Sequence, residues 1–116
     1  MRIGTLAERT GVSPRSLRYY EKEGLLLSRR TPSGQRLYVE ADVDRVIRIQ
    51  EFFAAGLCSR RIRELQPFWA TCAPVARAAL AAELRTDHDR LERQICDVSR
   101  SLRTLEEVIA DLRESS

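Results

Sequence analysis

The residues of this 116-residue chain with chemistry to offer are one histidine, three cysteines and a large set of arginines. Acid–base or nucleophilic catalysis needs a proton carrier and a partner group beside a pocket, and a lone His88 with no such constellation places the chain outside the enzymes. Cys58, Cys72 and Cys96 are odd in number and form no CxxC pair, which suits reduced thiols better than a disulfide framework. No cofactor is expected. The cationic set is more regular: Arg15, Arg18 and Lys22, with Tyr19 inserted, follow the i, i+3, i+4, i+7 spacing of one helix face. Such a stripe is either an ordinary solvated face or a surface for a polyanion.

The net charge of +3 is unevenly spread. Residues 1–66 carry 13 Arg or Lys against 8 Asp or Glu, a net +5, whereas residues 67–116 carry 7 against 9, a net −2. A polyanion would therefore bind the first half. Lys22 is the only lysine; arginine's planar fork suits phosphate and base edges, although genome composition produces the same bias. With 43% hydrophobic and 32% charged residues, the chain can bury one small core but hardly two. Its start, MRIGTLAERTG, has no long apolar run, so neither a secretion signal nor a membrane span is expected, and the cytoplasm is the expected location.

The stripe must be held by the elements around it. TLAERTGVSPRSLRYYEKEGLL reads as two short helices separated by Gly11, Val12 and Ser13. Ser13 is a good N-cap, Pro14 fits the first helical position and Gly24 can close the end, which predicts a helix over about 14–23. Leu17 and Tyr20 then point inward against Leu6, Ala7, Val12 and Leu25. In SRRTPSGQRLYV, Pro32, Ser33 and Gly34 supply a turn, and Leu37, Tyr38 and Val39 favour a strand. Arg29, Arg30 and Arg36 flank it, so the hairpin reads as a wing for phosphate contact or as a plain surface hairpin.

A helix over about 41–55 follows, with Val43, Val46, Ile47, Gln50, Phe53 and Ala54 expected on its inner side and Gly56 at its end. A short helix over 59–66 uses Ile62 and Leu65, and the FWATCAP stretch between Pro67 and Pro74 reads as a connector. From about 75 to 114 there is no Pro or Gly, which predicts one helix roughly 60 Å long at 1.5 Å per residue. Its apolar residues are Leu84, Leu91, Ile95, Val98, Leu102, Leu105, Ile109 and Leu112, spaced 4, 3, 4, 3, 4, 3 from Leu91 onward. So narrow a seam has no core of its own and calls for a partner helix, most simply that of a second copy. Extended backwards, the heptad places His88 in the seam, as a polar residue that sets register or as a ligand or pH sensor.

The expected fold is mainly α: a winged helix-turn-helix over 1–66 with a two-stranded wing, a connector over 67–74 and a long dimerisation helix over 75–116. IGTLAERTGVSPRSLRYYEKEGLL, RRTPSGQRLYVEADVDRV and GLCSRRIREL, followed by the long helix, together resemble the MerR family of bacterial transcription regulators. The run LRYYEKEGLL with GxRxY and a helix behind it makes that resemblance specific.

The resemblance implies a homodimer whose long helices form an antiparallel coiled coil, with two winged domains on half-sites of a pseudo-palindromic promoter. Double-stranded DNA is then the partner, RNA polymerase a further one, and recognition proceeds partly through deformation of the DNA spacer. Matching motif positions implies DNA contacts from Arg15, Ser16, Arg18 and Tyr19, and from Arg36 and Tyr38 in the wing, with Tyr20 in the core.

Cys58 stands where the family commonly has a Ser or Thr cap, Val39 where a Ser follows the wing tyrosine, and Gln35 where an aromatic is frequent. Metal-sensing members carry a cysteine-bearing loop beyond the dimer helix and drug-sensing members a ligand domain, whereas this chain ends DLRESS. An effector is therefore expected to act on the body of the chain. Cys72, just before the long helix, has the best position for a soft metal. Cys96 flanks the seam residue Ile95. Cys58, at a helix start beside Arg60 and Arg61, is expected to be an acidic and reactive thiol unless it merely replaces a cap. Two alternatives remain: an architectural excisionase-like winged-helix protein, which has no need of the long helix, and a thiol or soft-metal sensor acting through Cys58, Cys72 or Cys96.

Overall fold

The computed structural model describes residues 1–69 and 73–115, so Cys72 lies outside the described residues. Helix α1, Ile3–Thr10, ends where Gly11 turns left-handed at φ 73°, and α2, Pro14–Lys22, starts at once. The Ser13 hydroxyl accepts the Ser16 N–H at 3.1 Å and Pro14 takes the first helical position, where its missing N–H costs nothing. Leu6 and Leu17 are fully buried between these helices, joined by Val12, Tyr20, Leu25 and Leu26.

Strands β1, Arg29–Arg30, and β2, Arg36–Leu37, pair antiparallel with Arg29 opposite Leu37 and Arg30 opposite Arg36. Gly34, at φ 86°, closes the turn with its N–H 2.9 Å from Thr31 O. The backbone N–H of Tyr38 bonds Met1 O at 2.7 Å, fixing the base of the wing to the start of the chain.

Helix α3, Ala41–Ala54, buries a different face from the expected one. Asp42, Val46, Ile49 and Phe52 are buried and Val43 and Phe53 are half-buried, while Ile47, Gln50 and Ala54 face solvent. The segment carries two apolar stripes, because Ile47 and Ile49 lie about 200° apart around the helix. Aromatic packing selects between them: Phe52 meets Trp69 edge-on at 6.1 Å and Phe53 stacks on Tyr20 at 5.5 Å. Asp42 is buried because its carboxylate accepts the Val39 N–H at 2.8 Å, the reach-back half of a capping box whose hydroxyl half Val39 does not supply.

Helix α4, Ser59–Glu64, contributes Ile62, and Leu65 follows it into the core. Pro67 does not interrupt the fold as expected. It is the second residue of a one-turn helix α5, Gln66–Trp69, where it loses no hydrogen bond. Phe68 and Trp69 pack against the core, and the indole N–H reaches Ile62 O at 3.1 Å, so the core extends past residue 66 into the stretch expected to be a connector.

Helix α6, Pro74–Glu114, begins at Pro74 itself and runs for 41 residues. Its first turns lie against the winged unit through buried Leu80 and partly buried Leu84. The architecture is thus mainly helical with a two-stranded wing and a long C-terminal helix, as the sequence reading expected. No helix among the described residues is long and apolar enough to cross a membrane.

Candidate nucleic-acid interface

Amphipathicity of α2 decides what it can present. With Leu17 and Tyr20 in the core, Arg15, Arg18, Tyr19 and Lys22 stand exposed on the opposite side. Among the described residues no carboxylate pairs with Arg15, Arg18 or Lys22. Several other arginines of the same domain are matched, Arg9 with Glu40, Arg45 with Asp42, Arg48 with Glu51 and Arg63 with Glu23, while Arg29 and Arg30 of the wing, like the α2 cations, have no such match among the described residues. An unmatched cationic face keeps its charge available to an external polyanion. Ser16 is half-buried beside its capping partner, its hydroxyl 3.1 Å from that of Ser13. Tyr19 is 46% exposed, and its hydroxyl lies 3.1 Å from that of Ser59 at the start of α4.

The wing divides its expected contacts. Arg29, Arg30 and the turn residues 32–35 are exposed. Arg36 is drawn back, with Nε 2.8 Å from Glu21 Oε2, a contact of charges rather than an aligned hydrogen bond, and its side chain remains 34% exposed. Tyr38 corrects the expectation outright. The residue is 2% exposed and its hydroxyl donates to Glu21 at 3.4 Å, so it is a core residue and offers no surface to DNA. Burial first, and then the charge of Glu21, push the Tyr38 phenol above its ordinary value. Glu21, which also accepts from Ser28, ties α2 to the wing. Sequence reasoning missed it, although a carboxylate on the inner edge of an otherwise cationic helix was a visible signal.

Cys58 is the N-cap residue of α4, without a cap hydrogen bond from its side chain, and Ser59 is the first helical residue rather than the cap. The thiol is exposed and held below its ordinary value, chiefly by the backbone N–H of Arg61, against a smaller opposing effect of desolvation and with help from the charge of Arg60. Cys96 is exposed on α6, far along the chain from Cys58. Among the described residues the grouping with metal-ligand chemistry is His88, Asp89 and Glu92, all exposed, with His88 Nδ1 and Nε2 each 3.1 Å from a carboxylate oxygen of Asp89 and Glu92.

Along α6, Leu91, Ile95, Val98, Leu102, Leu105, Ile109 and Leu112 are between 38% and 68% exposed. Leu84, expected among them, instead packs against the winged core. The exposed seam therefore begins at Leu91, and Val108, 47% exposed beside it, widens it.

Residues 1–68 match the family described as MerR HTH family regulatory protein. The nodulation protein NolA of Bradyrhizobium elkanii is 45% identical over 64 residues, covering 54% of this chain and 29% of that protein. The HTH-type transcriptional regulator ZntR of Escherichia coli K12 is 42% identical over 65 residues, covering 55% of this chain and 46% of that protein. The chain thus spans less than half the length of these curated relatives. The fold of HiNmlR, a MerR family regulator lacking the sensor domain and bound to promoter DNA, superposes with a TM-score of 0.61 at 23% identity, covering 88% of this chain and 77% of that one. With the cationic helix, the wing and the long helix in place, and more than half of the sequence matched, the chain belongs to the MerR family of helix-turn-helix transcription regulators, which are not enzymes.

Proposed function

We propose that the chain acts as a homodimer that reads a pseudo-palindromic promoter with two winged domains and deforms the DNA between them. The observation that carries this reading is the exposed seam of α6 on the same chain as the carboxylate-free face of α2. A leucine, isoleucine or valine gains about 1.5–3 kcal/mol on full burial, so the seven of the seam, half in water, forgo on the order of 5–10 kcal/mol per helix. A second copy laid antiparallel covers the seam and sets one winged domain at each end of the rod. The DNA contacts are assigned to Arg15, Arg18 and Tyr19, with Ser16 at the helix start and Arg36, Arg29 and Arg30 from the wing. RNA polymerase on the distorted promoter completes the proposal. The excisionase-like alternative gives the seam no role.

Exchanging Val98 and Leu102 together for glutamate is expected to give monomers by sedimentation and to abolish binding to a duplex selected from a random-sequence pool by the native protein. A native chain that sediments as a monomer at micromolar concentration would overturn the reading.

A further inference from the structure

Where α6 leaves the winged unit, the contact is ionic. Arg61 of α4 reaches 26 residues along the chain to Asp87: Nε lies 3.2 and 3.1 Å from the two carboxylate oxygens and Nη2 lies 3.0 Å from Oδ2. Nη2 also donates to Glu83 O and Oε2, both at 3.2 Å, and Nη1 to Glu64 at 3.4 Å. The Arg61 side chain is 20% exposed and that of Asp87 11%, so the pair is largely shielded from solvent. Several charge pairs among the described residues are exposed i,i+3 or i,i+4 neighbours on one helix, which hold nothing together. This one joins two elements, through a planar fork whose bidentate geometry fixes direction as well as distance. Its match to the carboxylates drives the guanidinium still further above its ordinary value.

The pair is also the end of a footing. Leu80, Leu84 and Asp87 fall at i, i+4 and i+7 on one face of α6, and from Leu91 to Ser115 every residue is exposed. About 22 Å of helix separates Asp87 from Leu102 near the middle of the seam, at 1.5 Å per residue. A tilt of about 10° at the footing then moves each winged domain by about 4 Å relative to the dimer centre, more than the roughly 3.4 Å rise of one base pair.

We infer that Arg61 is a positioning residue: by clamping Asp87 and Glu83 it fixes the angle at which α6 leaves the winged domain, and thereby the spacing of half-sites the dimer accepts. The inference rests on the homodimer reading above. The packing of Leu80 and Leu84 alone permits a range of tilts, because apolar contact is non-directional, whereas the forked ion pair selects one of them.

The test uses the full chain and duplexes carrying the half-sites that the native protein selects from a random-sequence pool, set apart in steps of one base pair. The native dimer is expected to favour one spacing over its neighbours by about tenfold or more, and Arg61→Gln and Asp87→Asn to lower that ratio toward one while both remain dimeric and helical. The charge exchange of Arg61→Asp with Asp87→Arg is expected to recover part of the preference, which a merely structural loss would not. In parallel, a nitroxide at Arg18→Cys, with Cys58, Cys72 and Cys96 changed to serine, reports the distance between reading helices without DNA. That distribution is expected to be narrow natively and broad without Arg61. A folded, dimeric Arg61→Gln protein with unchanged spacing preference and unchanged distribution overturns the inference. Absence of any inter-protomer coupling in the native chain instead overturns the homodimer reading beneath it. If Arg61→Gln loses helicity, Asp87→Asn, which removes charge and no atoms from the packing, decides the matter alone.

Discussion

Tyr19 and Tyr38 carry the same hydroxyl, and the fold sends them to opposite fates. Tyr19 rides the outer face of α2, whereas Tyr38 sits beneath the wing with its hydroxyl on Glu21. Tyr38→Phe is therefore expected to leave DNA affinity and its salt dependence unchanged and to cost about 0.5–1.5 kcal/mol in chemical denaturation. Arg18→Ala should do the reverse: stability stays within about 0.5 kcal/mol, while the slope of log affinity against log salt becomes shallower by about one. Equal salt slopes for native and Arg18→Ala proteins would remove Arg18 from the phosphate contacts. For Cys58 the N–H groups at the head of α4 and the charge of Arg60 favour the thiolate. In a Cys72→Ser, Cys96→Ser protein, alkylation should reach half its limiting rate at a pH below that of free cysteine, and a midpoint at or above the usual value of about 8.5 would contradict this. The outward residues of α2 were legible because they follow from helix spacing alone. The burial of Tyr38 was not, since a two-residue strand shows too little alternation to tell in from out.

Among the elements, the capped and glycine-closed ones were readable: Ser13, Pro14 and Gly24 bound α2 within a residue of expectation. The face of α3 was not, because two apolar stripes compete along it and the aromatic partner that decides, Trp69, sits in a stretch whose prolines read as breaks. Both prolines instead occupy first turns of helices, where the missing N–H is no loss. The observed face carries its own check. Ile49→Ala empties a fully buried site and should cost about 2–5 kcal/mol in urea unfolding. Ile47→Ala, on the exposed side, should change stability by no more than about 0.5 kcal/mol. Comparable losses at the two positions would mean that α3 is rotated from the orientation described.

At the scale of the whole molecule, the heptad spacing announced the rod and its exposed seam, but the Arg61–Asp87 joint between domain and rod was hidden, because no local pattern links residues 26 apart. In the proposed homodimer only a second copy covers the apolar seam, which makes stability depend on concentration. The thermal midpoint of the native chain should therefore rise as protein concentration is raised, and the Val98 and Leu102 double variant should show no such rise. Length along α6 also separates two stretches: Leu80 to Asp87 pack against the winged domain, and Leu91 to Leu112 form the exposed seam assigned to the partner in the proposed dimer. The helix is for that reason modular in a practical sense. Replacing only the distal stretch with an orthogonal heterodimeric pair of seams would join this reading domain to a different one, yielding chimaeras that recognise composite, non-palindromic sites.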